Sequence, residues 1–225
     1  MTADEIIADL RAMANPRRAA GMARFGITST NTLGISVPAL RALAKRAGRD
    51  HAVALALWES GIHEARILAA MLDQPAKVTK RQMDRWAADF DSWDVVDGCC
   101  GDLFDRTPYA YEKALQWSAD RREYVKRAGF VLMATLAVHD KAAPDSKFRQ
   151  FLPLIVRESS DERNFVKKSV NWALRQIGKR NLRLNAAAIA TAERILATDT
   201  RAGRWIARDA LRELRSGPVQ ARLRR

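Results

Sequence analysis

Two stretches of this chain are versions of one another. YVKRAGFVLMAT (124–135) and FVKKSVNWALRQ (165–176) both read aromatic, Val, two basic residues, a small residue and then an apolar run, 41 residues apart. RWIARDALREL (204–214) is a looser third copy, about 40 residues further on. Another amphipathic pattern of helical period lies between each pair. Repeats of about 40 residues with two helices apiece are characteristic of HEAT-like proteins. Such a unit cannot bury its apolar face alone, so successive units stack. The expected fold is therefore all-α, an α-α superhelix of HEAT-like repeats whose concave basic groove is the binding surface.

The rest of the sequence agrees with a helical chain. Ala, Leu and Arg are abundant, and only 11 Gly and 7 Pro interrupt 225 residues. Helices are expected over 3–13, 16–25, 37–48, 50–59, 61–73, 78–90, 92–104, 108–118, 121–138, 145–157, 161–178, 183–197 and 203–214. Asn15 followed by Pro16 reads as a cap and first helical residue, and Ser36 repeats the device before VPAL. Gly48, Gly61, Gly178 and Gly203 mark ends or starts of these helices. No long linker interrupts the pattern, so a single domain over 1–216 is expected, with GPVQARLRR (217–225) as a basic tail.

The net charge of +13 is unevenly placed. Residues 1–120 hold 15 Lys and Arg against 16 Asp and Glu, whereas residues 121–225 hold 24 against 10. A polyanion is the partner such a half selects, nucleic acid before anionic membrane. No apolar run is long enough to span a bilayer. The acidic, amphipathic start MTADEIIADLRAM is unlike a secretory signal, so a cytoplasmic protein associated with the nucleoid through DNA is expected. Cys99 and Cys100 are adjacent, which suits two small buried thiols better than a disulfide. His51, His63 and His139 lack ligand spacing, so neither a metal nor a cofactor is expected.

DSWDVVDGCC (91–100) contains the residue that most needs a reason. With Asp91 or Ser92 as cap, Trp93 and Asp97 are one turn apart on one helix face, and their neighbours are apolar. A carboxylate in such company is costly unless something uses it. Lys168, Trp172 and Arg175 share a face of the 161–178 helix, and Lys126 and Arg127 hold the equivalent place one repeat earlier. Cations suit phosphates, indoles suit stacking or cation–π contact, and a lone carboxylate on a basic surface suits a developing cation or an attacking water. Trp58, Trp86, Trp117 and Trp205 are assigned to the core, where an indole of that area usually belongs.

These residues carry a resemblance. MARFGITSTNTLGISVPALRALAK (22–45), HEARILAAMLD (63–73), SWDVVDGCCGDLF (92–104), YVKRAGF (124–130) and FVKKSVNWALRQIGKRN (165–181) together resemble the AlkD family of DNA alkylation repair glycosylases. The likeness runs over residues 5–215. It implies a HEAT-like solenoid that clasps duplex DNA and hydrolyses the N-glycosidic bond of cationic alkylated purines, such as 3-methyladenine and 7-methylguanine, without a deep base-flipping pocket. It places the catalytic aspartate on Asp97 and the lesion-side tryptophans on Trp93 and Trp172. It places the central DNA-contacting arginine on Arg127, with a further basic contact on Arg175.

The alkylated purine is already cationic and leaves as a neutral base, so no general acid is required. None of the three histidines is expected to take part. Two positions depart from the family pattern. Phe25 stands where a Tyr hydroxyl can reach the DNA backbone, and Thr135 where a Lys can help hold phosphate. The expected partner is double-stranded DNA carrying alkylated bases, met by a monomer. Two other readings remain open at this level: a non-catalytic HEAT-like protein recognising damaged or structured DNA, and a protein-interaction scaffold.

Overall fold

The computed structural model describes residues 1–27 and 31–224. Among them are fifteen α-helices, three short 3₁₀ turns and no strand. Two compact units are present, 1–109 and 110–225.

The first unit contains α1 (Ala3–Ala12), α2 (Pro16–Met22), α3 (Val37–Ala47), α4 (His51–Glu59), α5 (His63–Leu72), α6 (Lys80–Ala88) and α7 (Trp93–Asp102). Its starts are written into the sequence. Thr2 and Glu5 form a reciprocal capping box on α1, Asn15 accepts from the Arg18 N–H, and Asp50 and Thr79 cap α4 and α6. The centre of the packing is α5, against which α3, α4 and α7 all lie. Trp58 and Trp86 stack face to face with ring centroids 4.0 Å apart, bordered by Phe90 and Phe104. These indoles are core residues, as the sequence suggests, and the Trp58 Nε1 donates to Asp89.

The second unit contains α8 (Ala110–Ser118), α9 (Glu123–His139), α10 (Asp145–Arg149), α11 (Leu152–Arg157), α12 (Asn164–Gly178), α13 (Leu182–Ala197), α14 (Arg201–Leu214) and α15 (Gly217–Leu223). The repeat seen in the sequence is visible atom by atom. Ser118 and Ser159 end α8 and α11 by donating to the carbonyls of Leu115 and Val156. Two residues later, Asp120 and Asp161 each accept from the backbone N–H and the guanidinium of Arg122 and Arg163. Each of these turns leads into a long helix, α9 or α12, and the two helices pack along their length. The third copy, α14, packs on α12 in turn. Close approach is built in by glycine. A Cβ at Gly129 on α9 would lie 2.4 Å from the Ser118 nitrogen, and one at Gly178 would strike Leu214 and Ala188.

Two expectations are corrected here. The helix expected over 145–157 is two helices, because Pro153 in the first turn of α11 has no N–H to give Arg149 and its ring crowds that carbonyl. The tail expected from residue 217 is helix α15. Its Gln220 donates to Asn185 and the Leu214 carbonyl, and Arg222 donates to the Lys179 carbonyl.

Candidate nucleic-acid interface

In the first unit the site is organised by α7. Ser92 is its N-cap residue, extended in conformation, although its hydroxyl makes no capping bond. Val95, Val96, Cys99 and Cys100 are wholly buried, and neither cysteine is in a disulfide. Trp93 and Asp97, one turn apart, are on the half-buried side. The Trp93 indole N–H donates to the Phe25 carbonyl at 2.9 Å, which ties the start of α7 to the turn after α2. Phe25 itself is 58 % exposed, with the Arg24 guanidinium over its ring. It lines an open cleft with Arg17, Arg18, Ile35 and Val37.

The remaining carboxylate of the α7 start, Asp94, accepts from or donates to the His63 Nε2 at 2.8 Å, according to proton position. His63 is 1 % exposed and stands at the first position of α5. Burial pulls this imidazole down, but the Asp94 hydrogen bond and charge, with Glu64 and Asp91 behind them, outweigh it and raise its pKa. Burial pushes Asp94 up, and the same His63 bond and charge outweigh it, so its pKa is lowered. The two shifts each favour the charged form of the pair. Beside it, the fully buried Glu64 carboxylate accepts three backbone N–H groups, from Leu33, Gly34 and Ile35 at 2.6–3.2 Å. Neither residue was singled out in the sequence, although HE opening an otherwise apolar helix was the available signal. No histidine is expected to take part in the chemistry, and the His63 contact is with Asp94 at the start of α7.

In the second unit, a ladder joins α12 to α14. Lys167 faces Trp205 with its ammonium 5.3 Å from the ring centroid. Asn171 donates to Asp209 at 2.7 Å, and Arg175 meets Glu213 at 2.5 Å and Asp209 at 3.7 Å. Lys179 joins the same Glu213 at 2.6 Å. Burial alone would raise Glu213, but its bonds to Lys179 and Arg175 prevail and its pKa is lowered.

The expected phosphate contacts therefore differ in kind. Lys168 is exposed. Trp172 is half-buried one turn along the same helix. Arg175 is committed to the two acids of α14. Lys126 is 12 % exposed at its side chain and binds Glu158 and Asp161. Arg127 is 6 % exposed and donates to the Phe165 carbonyl at 2.8 Å, bracing α9 against the first turn of α12. Thr135, where a lysine was weighed, is buried and bonded to the Leu132 carbonyl. Trp205, assigned to the core, is instead 41 % exposed. The structure thus brings Trp93, Asp97 and Phe25 together in one unit, and Lys168, Trp172 and Arg175 on one helix of the other. No three His, Cys, Asp or Glu side chains are grouped to hold a metal among the described residues. Nor is any helix among them long and apolar enough to cross a membrane.

An all-α chain of repeated helix pairs that stack on one another defines the class of helical-repeat proteins. The model of the DNA alkylation repair enzyme family matches residues 6–214, and the chain belongs to that family. Its fold is that of a solved protein from a family related to the HEAT-like repeat DNA glycosylases with affinity for branched DNA structures. That structure is 17 % identical, with a TM-score of 0.79 over 99 % of this chain and 96 % of its own. No curated protein matches the sequence.

Proposed function

We propose that this protein is a DNA glycosylase that releases cationic alkylated purines, of the 3-methyladenine and 7-methylguanine type, from duplex DNA. One observation carries the reading: Trp93 and Asp97 share the half-buried side of a helix whose opposite side is wholly buried. The glycosidic C1′–N bond breaks as its electron pair neutralises the cationic base. The sugar becomes oxocarbenium-like, and water adds at C1′ with loss of a proton. Asp97 stabilises the sugar cation and positions that water. Trp93 and Trp172 contact the deoxyribose and the cationic lesion. Lys126, Arg127, Lys168 and Arg175 are the candidate phosphate contacts, Lys168 being the exposed one of the four, and Phe25 of the other unit is a candidate DNA contact through its ring. In this reading the protein works as a monomer in the cytoplasm, on the nucleoid, without a cofactor.

The test is release of free 7-methylguanine from methylated duplex DNA by wild type and Asp97→Asn, with DNA affinity measured on both. Release by wild type, and binding without release by the variant, supports the reading. Binding without release by wild type, repeated with 3-methyladenine, overturns it. That second outcome is the one expected of a non-catalytic protein recognising structured DNA. The affinity for branched DNA of the structurally similar family makes that reading the second choice.

A further inference from the structure

The ladder between α12 and α14 has one rung unlike the others. Asn171 and Arg175 on α12 each meet a carboxylate of α14, whereas Lys167 meets the indole of Trp205. Its charge is therefore not cancelled at that rung. Arg201, Trp205, Arg208 and Arg212 recur at the i, i+4, i+7 and i+11 spacing that keeps side chains on one helix face. All four are exposed. Arg212 is paired with Asp209, but Arg201 and Arg208 have no carboxylate partner among the described residues. Lys168, next to Lys167, is likewise exposed and without an acidic partner among them. The Trp205 indole is 41 % exposed, so a large part of its surface is open to a partner. Surrounded by uncancelled cations, it is not a surface for an acidic-poor apolar partner either.

We propose that this face of α14 is a stacking platform for single-stranded DNA. An unpaired base lies against Trp205, and the flanking phosphates meet Arg201, Arg208 and Lys168. The chemistry selects this occupant on two counts. Uncancelled cations on both sides of the ring call for a polyanion, and an exposed aromatic plane calls for a base that is not already stacked in a duplex. Lys167 holds the indole from one side by cation–π contact and adds its charge to the patch. Every residue involved lies in the second unit, and none is the proposed catalytic carboxylate. The platform thus extends the proposed DNA reading to substrates with a single-stranded arm without depending on base release.

The experiment measures binding of a fluorescein-labelled twelve-nucleotide oligothymidylate, and of a duplex bearing the same sequence as a flap, by anisotropy. Wild type, Trp205→Ala, Trp205→Phe and Arg201→Gln/Arg208→Gln are compared. The expected result is affinity for the oligothymidylate about tenfold weaker in Trp205→Ala, with most of it retained in Trp205→Phe. The double arginine variant should give a shallower dependence of log affinity on log salt, by about 1.4 for the single strand. Circular dichroism melting checks that each variant is folded, and Trp205→Phe keeps the test decisive should the alanine variant melt early. Equal oligothymidylate affinity in wild type and Trp205→Ala overturns the proposal, as does a wild type that binds no single strand. So does a Trp205-dependent dimer in sedimentation velocity, which would assign the face to a second copy of the chain. Loss of base release in Asp97→Asn bears on the glycosylase reading alone.

Discussion

Two of the helices expected to supply working side chains, α7 in the first unit and α12 in the second, spend charges of opposite sign. On α7, Asp94 is neutralised by the buried His63, while Asp97, one turn on, is left on the half-buried side. On α12, Arg175 and Lys179 are neutralised by Glu213, while Lys168 remains exposed. Each helix thus ties at least one charged residue into the fold, Asp94 on α7 and Arg175 on α12. The lesson concerns net charge. A half-chain with 24 basic residues against 10 acidic ones is not equally cationic everywhere. Arg127, Arg175, Lys168 and Lys126 are the four cations expected from the sequence to contact DNA, and all but Lys168 are engaged within the fold.

The contrast breaks first at Asp97. If it is the functional carboxylate of α7, Asp97→Asn should lower base release about 100- to 1000-fold while changing DNA affinity less than about threefold. If Asp97 is architectural like Asp94, the variant should instead lose stability and affinity together. Single-turnover release and thermal melting, run on the same preparation, separate the two.

Asp94 and His63 should behave in the architectural manner. Removing one partner of a buried pair costs about 3 kcal/mol, so His63→Gln and Asp94→Asn should each shift the urea midpoint downward. The raised His63 contributes stability that is complete below its unfolded value of 6.5 and is lost as pH rises through its folded value. The lowered Asp94 contributes stability present above 3.8 and lost as pH falls through its folded value. Wild type should therefore hold a plateau between the two unfolded values, 3.8 and 6.5, and lose stability on either side of it. His63→Gln should lose the alkaline limb of that profile, and an unchanged limb would remove the ion pair as its cause. Since α7 also carries Trp93 and Asp97, base release should follow the same limb.

How far the sequence leads can be judged from the same residues. Helical period, caps such as Asn15 and the 41-residue repeat are local signals, and the helices they mark are present with small shifts at their ends. The internal break at Pro153 was also a local signal, overlooked because the apolar pattern continues across it. What the sequence does not carry is which charge meets which. The contacts of Arg127 with the Phe165 carbonyl and of Arg175 with Glu213 span 38 residues each. They depend on how two helices are rotated about their axes, and a basic residue bound for a carbonyl looks the same in one dimension as one bound for a phosphate. Trp205 fails for a related reason: the area of an indole assigns it to the core, and only the rotation of α14 leaves it 41 % exposed beside Lys167.

On the α12 side, Arg127 and Lys168 make a direct comparison because they occupy equivalent places in successive repeats. Arg127→Ala should cost about 1–3 kcal/mol of stability through the lost charged hydrogen bond. Lys168→Ala should leave stability within about 0.5 kcal/mol and reduce the salt dependence of duplex binding by about 1 in log–log slope. The reverse pattern would mean that burial is a poor guide to which cation meets DNA.

The smallest effect is the most pointed. Glu213 holds down two cations, Arg175 and Lys179, at 2.5 Å and 2.6 Å. Its pKa is lowered by those bonds, so its contribution is present above 4.5 and is lost as pH falls through the folded value. For a partly exposed network the stability at stake is about 1 kcal/mol, and Glu213→Gln should lose roughly that in a urea titration at neutral pH. Yet the same change releases one positive charge for a phosphate. Duplex affinity should therefore rise by a few-fold at low salt, and its salt dependence should steepen by up to about 1 in slope. A variant that is less stable and binds more tightly would show that α12 balances the two uses of its cations. One that is less stable and binds equally would confine Arg175 to the fold and leave Lys168 as the phosphate contact of that helix.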